Sequence, residues 1–236
     1  MKIPVMEVFG PTIQGEGMVI GRKTMFVRTA GCDFRCSWCD SKFTWDGTAK
    51  DDIRMMTAED IMNELKAVGG DCFDHVTISG GNPALIKGLS SLVTLLHAEG
   101  CEVALETQGS KFQDWMTDIN QLTLSPKPPS SGMVHNLAVL DSIINQVNKE
   151  RISLKVVVFD DADYAFARTI HQRYPELKFY LQVGNPYLDE TVSNHTEKLL
   201  ERYEELIDRV MDDHQMNSVF VTPQLHTLLW SNKKGV

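Results

Sequence analysis

Short apolar runs that alternate with helical patterns are the feature of this sequence that most constrains its fold. The runs are rich in β-branched residues and end at glycine or polar turns, which is typical of buried strands. The predicted strands are Met25–Ala30, Val76–Ser79, Glu102–Glu106, Gln121–Leu124, Leu154–Phe159, Phe179–Val183 and Ser218–Val221. Because strands that alternate with helices form right-handed parallel βαβ units, the sequence predicts an α/β fold with a barrel-like or open sheet.

The helical patterns lie between these strands. Thr57 can cap a helix in which Asp60 lies near the positive end of the dipole. Ile61, Leu65 and Val68 then share one face of that helix. The other predicted helices are Leu85–Glu99, Leu137–Lys149, Ala162–Tyr174 and Thr196–Asp212. No linker or shift in composition divides the chain, so residues 1–236 are predicted to form a single domain.

Polar or glycine-rich turns follow five of the predicted strands. They are Gly31–Ser41, Gly80–Pro83, Thr107–Gly109, Ser125–Lys127 and Gly184–Pro186. In parallel α/β folds, ligands bind at the carboxyl ends of the strands. We therefore expect these turns to meet at one rim of the sheet and to form the active site.

Charge and hydropathy narrow the class of protein. The net charge of −9 argues against a general nucleic-acid binder, which normally carries a basic face. No apolar run approaches the roughly 18 residues of a membrane span. The first residues also lack the pattern of a signal peptide. We therefore expect a cytoplasmic protein that binds neither membranes nor nucleic acid.

Three of the five cysteines, Cys32, Cys36 and Cys39, lie within one short segment. Without a secretion signal, this C-x3-C-x2-C spacing indicates metal binding rather than disulfides. Thiolates suit iron–sulfur clusters, zinc or copper(I), and a closed zinc site usually has four ligands. Three thiolates on a four-iron cluster would leave one iron open to an external ligand. Cys72 and Cys101 are isolated, and we predict that both are buried packing residues.

The cysteine spacing, with the aromatic Trp38 before the last cysteine, resembles the radical S-adenosylmethionine (SAM) superfamily. The resemblance implies a 4Fe-4S cluster whose open iron binds SAM, which one electron cleaves to methionine and a 5′-deoxyadenosyl radical. Gly80 and Gly81 are similar to the Gly-Gly-Glu-Pro turn that contacts the SAM amino group in that superfamily. Asn82 stands where the superfamily usually has Glu, and backbone contacts would survive that change.

Further motifs resemble the 7-carboxy-7-deazaguanine synthase family over nearly the whole chain. They are IQGEG at 13–17, FVRTAGC at 26–32, CDS at 39–41, LETQG at 105–109, SPK at 125–127 and PQLH at 223–226. The resemblance implies an abridged, partial (β/α)6-type TIM barrel, usually a homodimer, with a flavodoxin- or ferredoxin-type reductant. It also implies Mg²⁺-dependent ring contraction of 6-carboxy-5,6,7,8-tetrahydropterin to 7-carboxy-7-deazaguanine. Ammonia would be lost and SAM used catalytically, for the biosynthesis of queuosine and other 7-deazapurines.

The same resemblance implies roles for individual residues. The three cysteines would bind the cluster, Ser41 would bind Mg²⁺, and Glu106 could assist proton transfer. SAM contacts are expected from Trp38, Cys39, Asp40, Gly80, Gly81, Asn82, Glu106, Ser125, Pro126, Lys127, Gln182 and Asn185. Substrate contacts are expected from Ile13, Gln14, Gly15, Glu16, Arg28, Ser79, Gln224 and His226. The single domain is expected to contain an N-terminal substrate loop (1–24), a cluster loop (31–43) and a C-terminal substrate-capping tail (222–236).

Several alternatives stay open at the level of sequence. Arg28 could form a structural ion pair, Ser41 could cap a turn, and His226 could be a packing histidine. The chain continues beyond His226 as TLLWSNKKGV, so a contact between Val236 and the substrate is also open. A glycyl-radical activase would share the cysteine spacing but lack the IQGEG and Gln-x-His motifs. A non-enzymatic iron–sulfur or zinc module would favour four cysteine ligands.

Overall fold

In the residues that the structure describes, 1–188, 193–233 and 235–236, nine strands form one mixed sheet that does not close. The structure is a computed structural model of the chain. The strands are β1 (Ile3–Ile13), β2 (Lys23–Thr29), β3 (Arg54–Met56), β4 (His75–Gly80), β5 (Glu102–Thr107), β6 (Gln121–Leu124), β7 (Ile152–Val158), β8 (Lys178–Val183) and β9 (Val219–Thr222). The helices are α1 (Ala58–Gly69), α2 (Leu89–Ala98), α3 (Leu137–Gln146), α4 (Asp161–Arg173), α5 (His195–Met211) and α6 (Leu225–Trp230).

The strand order β3-β1-β2-β4-β5-β6-β7-β8-β9 confirms the predicted partial TIM barrel. From β2 through β4 to β9, each strand pairs in parallel with its neighbour. β1 pairs antiparallel with both β2 and β3 at one side of the sheet. Every predicted strand has a counterpart, but β1 and β3 were not predicted. Gly10 and Pro11 interrupt the pattern of β1, and β3 is too short to show one.

The two faces of the parallel strands are both buried but differ in polarity. Ile78, Leu105 and Leu154 are fully buried in the core that the strands form with the helices. Because successive side chains point to opposite faces, their neighbours Thr77 and Lys155 lie on the other face, inside the partial barrel. Buried polar groups need hydrogen-bond partners, so this inner face is suited to a binding site rather than to a second apolar core.

Helix α1 begins at the predicted cap. The Thr57 hydroxyl accepts a hydrogen bond from the Asp60 backbone N–H at 3.1 Å, and the Asp60 carboxylate accepts one from the Thr57 N–H at 2.9 Å. Ile61 and Leu65 are buried, whereas Val68, which was predicted to share their face, is 48% exposed. In this last turn the close contact is made by Gly69 instead, where an added Cβ would collide with the Met25 side chain.

Three other expectations need correction. The predicted helix Leu85–Glu99 begins only at Leu89, because Pro83–Leu85 forms a separate 3-10 turn. Cys72 is exposed rather than buried, because it follows α1 in a surface turn, whereas Cys101 is buried as expected. Residues 1–24 are mostly strand β1 and the start of β2, not a loop.

The C-terminal tail also has regular structure that was not predicted, since α6 lies within residues 222–236. Lys234 of that tail lies outside the described residues. Among the described helices, none has the length and apolar character needed to cross a membrane.

The packing of α2 gives a test of this core. Leu96 is fully buried, so Leu96→Ala should lower the free energy of unfolding by about 2–5 kcal/mol. Leu200 in α5 is 47% exposed, and Leu200→Ala should change stability by no more than about 0.5 kcal/mol. Urea unfolding followed by circular dichroism measures both; equal losses in the two variants would contradict the assigned core.

Candidate active site

A cavity of about 430 Å³ opens at the carboxyl ends of the parallel strands. Its volume lies within the range of small-molecule sites. All residues that the sequence analysis assigned to cluster, SAM, Mg²⁺ or substrate line it, except Asn82 and Pro126. The five predicted turns therefore meet at one rim, because parallel strands place their carboxyl ends together.

The cysteine loop leaves the end of β2 and is held by backbone hydrogen bonds. Gly31 N–H donates to the Thr44 carbonyl at 2.8 Å and closes the loop. Cys39 N–H donates to the Cys36 carbonyl at 3.2 Å and brings the second and third thiols into one tight turn. The Trp38 indole N–H donates to the Ser130 hydroxyl at 2.9 Å, which ties the loop to the turn after β6.

Several N–H groups point at the cysteine sulfurs. The Phe34 backbone N–H lies 3.4 Å from Cys32 Sγ, and the Trp45 indole N–H lies 3.4 Å from Cys39 Sγ. Burial raises the pKa of the Cys36 thiol to about 11, and burial likewise raises the pKa of Cys32. Metal binding requires thiolates, so iron must displace these protons. The donors aimed at sulfur fit thiolate ligands of a cluster.

Glycines of the β4 turn let the cysteine loop lie against the sheet. An added Cβ at Gly80 would collide with the Thr29 backbone, and one at Gly81 would collide with the Gly31 backbone. Asn82 N–H then donates to the Gly31 carbonyl at 2.7 Å. The glycines were predicted to let a ligand approach the backbone; here the closest atoms belong to Thr29 at the end of β2 for Gly80 and to Gly31 in the cysteine loop for Gly81.

The Asn82 side chain is turned away from the cavity and is fully buried. Its oxygen accepts hydrogen bonds from the Thr107 hydroxyl at 2.7 Å and the Ala84 N–H at 3.2 Å. Its amide nitrogen donates to Asp33 at 2.8 Å and to Ser110 at 2.9 Å. All of its polar groups are thus used within the protein, so the structure does not bring the Asn82 side chain to the expected SAM site. Nor does it bring Pro126 there.

Opposite the cysteine loop, a buried lysine joins two carboxylates. Lys155, on β7, is 4% exposed and forms ion pairs with Glu16 and, at 3.4 Å, with Glu106. Burial alone would lower the pKa of Lys155, but the two carboxylates outweigh it and raise the pKa above its ordinary value. Burial would likewise raise the pKa of Glu16, yet Lys155 and, to a lesser degree, His226 hold it well below its ordinary range.

Two amides and an imidazole complete this carboxylate centre. Gln14 Nε2 donates to Glu106 at 3.1 Å, and Gln224 Nε2 donates to Glu16 at 2.9 Å. His226 Nε2 lies 4.0 Å from Glu16. Leu225 N–H donates to the Gly15 carbonyl at 3.0 Å, so the N-terminal turn and the C-terminal segment pack directly on one another. Residues assigned to substrate therefore do come together.

The chain matches known proteins over its full length. Residues 26–125 match the Radical SAM superfamily. The chain is 60% identical to the 7-carboxy-7-deazaguanine synthase of Bacillus subtilis (strain 168), over 99% of this chain and 98% of the relative. It is 58% identical to that of Bacillus cereus, over 100% of this chain and 99% of the relative. The chain belongs to the 7-carboxy-7-deazaguanine synthase family.

This family membership confirms the resemblance found in the sequence and makes the chain a radical SAM enzyme, which implies a 4Fe-4S cluster and SAM. The crystal structure of QueE from Escherichia coli has the same fold, with a TM-score of 0.67 and 24% identity. The match covers 96% of this chain and 95% of that one.

The resemblance to the 7-carboxy-7-deazaguanine synthase family predicted that Arg28 binds the substrate and Ser41 binds Mg²⁺. Both residues line the cavity. Arg28 Nε donates to Glu7 at 2.5 Å, and the guanidinium carbon lies 5.5 Å from the Phe9 ring centroid and 5.8 Å from the Phe43 ring centroid. The ion pair left open by the sequence therefore exists. The Ser41 side chain makes no capping hydrogen bond, and its hydroxyl lies 3.7 Å from Cys39 Sγ.

The chain end also reaches the site, since Val236 is among the residues that line the cavity. The described residues contain no group of three or more His, Cys, Asp or Glu side chains that could hold one metal ion. Lys155 is the principal site residue that sequence analysis missed. Its only signal is a charge within the otherwise apolar strand ISLKVVV.

The buried lysine should be essential for stability. Lys155→Met leaves two carboxylates without their counter-charge and should lower the free energy of unfolding by about 3–5 kcal/mol. Lys178→Met, at the exposed start of β8, serves as the matched control and should have an effect within about 0.5 kcal/mol. Urea unfolding at neutral pH measures both, and a small loss for Lys155→Met would refute a compensated buried charge.

The same ion pair predicts a pH dependence. In the parent chain Glu16 has a lowered pKa, so the folded state binds fewer protons and stability falls as the pH drops below about 4.5. In Lys155→Met, burial without the ammonium raises the pKa of Glu16, so the folded state binds more protons. The destabilisation caused by the variant should therefore shrink as the pH falls from about 7 to 5. Urea unfolding curves across that pH range measure the free energy of unfolding of both chains. A difference between them that does not change with pH would contradict this prediction.

Proposed function

We propose that this enzyme converts 6-carboxy-5,6,7,8-tetrahydropterin to 7-carboxy-7-deazaguanine with release of ammonia, using Mg²⁺ and using SAM catalytically. The observation that carries the proposal is the cavity itself, which is lined both by the three-cysteine loop and by two carboxylates that pair with Lys155. The product serves the biosynthesis of queuosine and other 7-deazapurines.

Recognition of the pterin follows from the carboxylate centre. The 2-amino-4-oxo pyrimidine ring of a pterin presents N–H donors along one edge, and carboxylates are acceptors only. Glu16, kept ionised by Lys155, would accept from that edge, with Gln14, Gln224 and His226 beside it. Ile13, Gly15 and Ser79 would line the same pocket.

Among the cationic side chains that line the cavity, Arg28 and Lys127 would serve the carboxylates of the two ligands. Arg28 would hold the substrate carboxylate, because its planar fork suits that group. Lys127, whose pKa is lowered by burial, donates to the Ser125 hydroxyl at 3.0 Å and lies 5.9 Å from the centroid of the Trp38 ring. Ser125 and Lys127 would contact the SAM carboxylate or ribose, near the cysteine loop. Val236 would add a contact from the chain end.

The cluster and SAM, when bound, supply one-electron cleavage that yields a 5′-deoxyadenosyl radical for hydrogen abstraction from the substrate. The protein holds and orients both molecules. Cys32, Cys36 and Cys39 would hold the cluster, with Asp40 and Gly81 next to SAM. Gln182 supports a polar ligand beside β8, because it is 1% exposed and neither atom of its amide has a partner among the described residues. Asn185 would line the same side.

Glu106 is placed to move a proton. Its carboxylate oxygen accepts from Gln14 and Lys155 and lines the cavity, so the group is both oriented and accessible to a ligand. We assign it the acceptance of a proton from the substrate during aromatisation. Lys155 lies against it and offsets the charge that it carries.

Ser41 would supply the protein ligand to Mg²⁺, with substrate oxygens and waters completing an octahedron. Ser41→Ala should reduce the stimulation of turnover by Mg²⁺, while Ser41→Thr, which keeps the hydroxyl, should retain it. Product formation is measured against Mg²⁺ concentration in the two variants with cluster content matched. Equal Mg²⁺ dependence in Ser41→Ala and the parent chain would exclude Ser41 as the ligand.

The enzyme is further proposed to act as a homodimer in the cytoplasm and to receive its electron from a flavodoxin- or ferredoxin-type protein. A low-potential one-electron donor is what reductive SAM cleavage requires. Phe220 on β9 and Leu229 on α6 are large and exposed, and they would supply apolar surface for a second subunit.

The reaction can be tested with anaerobically reconstituted protein. With SAM, Mg²⁺, dithionite and 6-carboxy-5,6,7,8-tetrahydropterin, we expect 7-carboxy-7-deazaguanine and ammonia in equal amounts with little net loss of SAM. Methionine that accumulates in proportion to product would contradict catalytic use of SAM. SAM cleavage without any deazaguanine would refute the substrate and favour an activase.

A further inference from the structure

Two side chains without an assigned role donate hydrogen bonds to the cluster cysteines. The Trp45 indole N–H lies 3.4 Å from Cys39 Sγ, and the Gln108 amide N–H lies 3.6 Å from Cys32 Sγ. Cys36, the third cysteine, receives no side-chain N–H from the described residues. The donors therefore act on two of the three cluster thiolates.

Gln108 is fixed in position by a buried network. Its amide nitrogen also donates to Asp33 Oδ1 at 2.6 Å, and Asn82 Nδ2 donates to the same oxygen at 2.8 Å. Gln108 is 4% exposed and Asn82 is fully buried. An amide nitrogen carries two hydrogens, so Gln108 can serve Asp33 and Cys32 together. Asn82 is suited to this position because a glutamate carboxylate would have no hydrogen to donate to Asp33.

Trp45 is also fixed in position. The Arg35 guanidinium stacks 4.7 Å from the centroid of the Trp45 ring, and Arg35 also donates to the Cys32 carbonyl at 2.6 Å. The indole plane is therefore held against the loop that carries the cysteines. Its N–H is aimed at one sulfur without being shared with another acceptor among the described residues.

We propose that Trp45 and Gln108 are positioning residues that raise the reduction potential of the cluster, through their hydrogen bonds to Cys39 and Cys32. Reduction by one electron, from the 2+ to the 1+ state, adds negative charge that spreads onto the thiolate sulfurs. N–H groups directed at those sulfurs stabilise the added charge, so they favour the reduced state. The two donors then make the cluster easier to reduce by its electron donor. The inference rests on the cluster that family membership implies, and not on the proposed substrate.

The test is an EPR-monitored redox titration of the reconstituted full chain without SAM or substrate, with dithionite as reductant. Trp45→Phe keeps the aromatic ring and removes the N–H, and Gln108→Met keeps the length and removes the amide. Each variant should bind iron and sulfide as the parent chain does and have a more negative midpoint potential. Because the donors act on different sulfurs, the double variant should show the sum of the two shifts.

Trp115→Phe is the matched control. Trp115 is buried in the core, and its indole N–H has no partner among the described residues, so this variant should leave the midpoint unchanged. Lower iron content with an unchanged midpoint in the remaining clusters would mean that Trp45 and Gln108 only hold the loop, and would overturn the proposal. Unchanged midpoints with full iron content would overturn it as well.

Discussion

The active site depends on one ammonium group, that of Lys155, which is buried on the inner face of the partial barrel. Burial alone would favour neutral Lys155, and the group stays charged because Glu16 and Glu106 flank it. These two ion pairs join the turn after β1, which carries Glu16, to the end of β5 and the middle of β7. In a cavity of low dielectric each charge acts strongly on its neighbours, so Lys155 and Glu16 hold each other in the charged form. The same ion pairs thus determine both the arrangement of these side chains and the charge in this part of the cavity.

The remainder of the cavity is organised around this centre. The apolar side of each parallel strand packs on the helices and keeps the strand ends in place. The cysteine loop lies on the opposite wall, anchored through backbone contacts at Gly80 and Gly81 that only glycine permits. The sheet therefore brings two sets of groups to one cavity, the three cysteines and the side chains around Lys155. The proposed reaction takes place between them.

Sequence patterns predicted those parts of the molecule that depend on local information. The parallel strands, the cap at Thr57 and the cysteine spacing each follow from neighbouring residues. The partners of Lys155 do not, because Glu16 and Glu106 lie far away in the chain. The exposure of Val68 could not be predicted, because periodicity does not show where the neighbouring element ends. Strand β1 was not predicted, since Gly10 and Pro11 conceal a pairing that its partner strands impose.

We propose that the Glu16 carboxylate, kept ionised by Lys155, recognises the 2-amino pyrimidine edge of the substrate. Calorimetric binding of the unreactive 6-carboxypterin, compared with its 2-oxo analogue 6-carboxylumazine, tests it directly. The account predicts that the enzyme binds the 2-amino compound at least about tenfold more tightly, a difference of about 1.4 kcal/mol, and that Glu16→Gln abolishes this preference. Equal affinities in the parent enzyme, or a preference that survives Glu16→Gln, would contradict it.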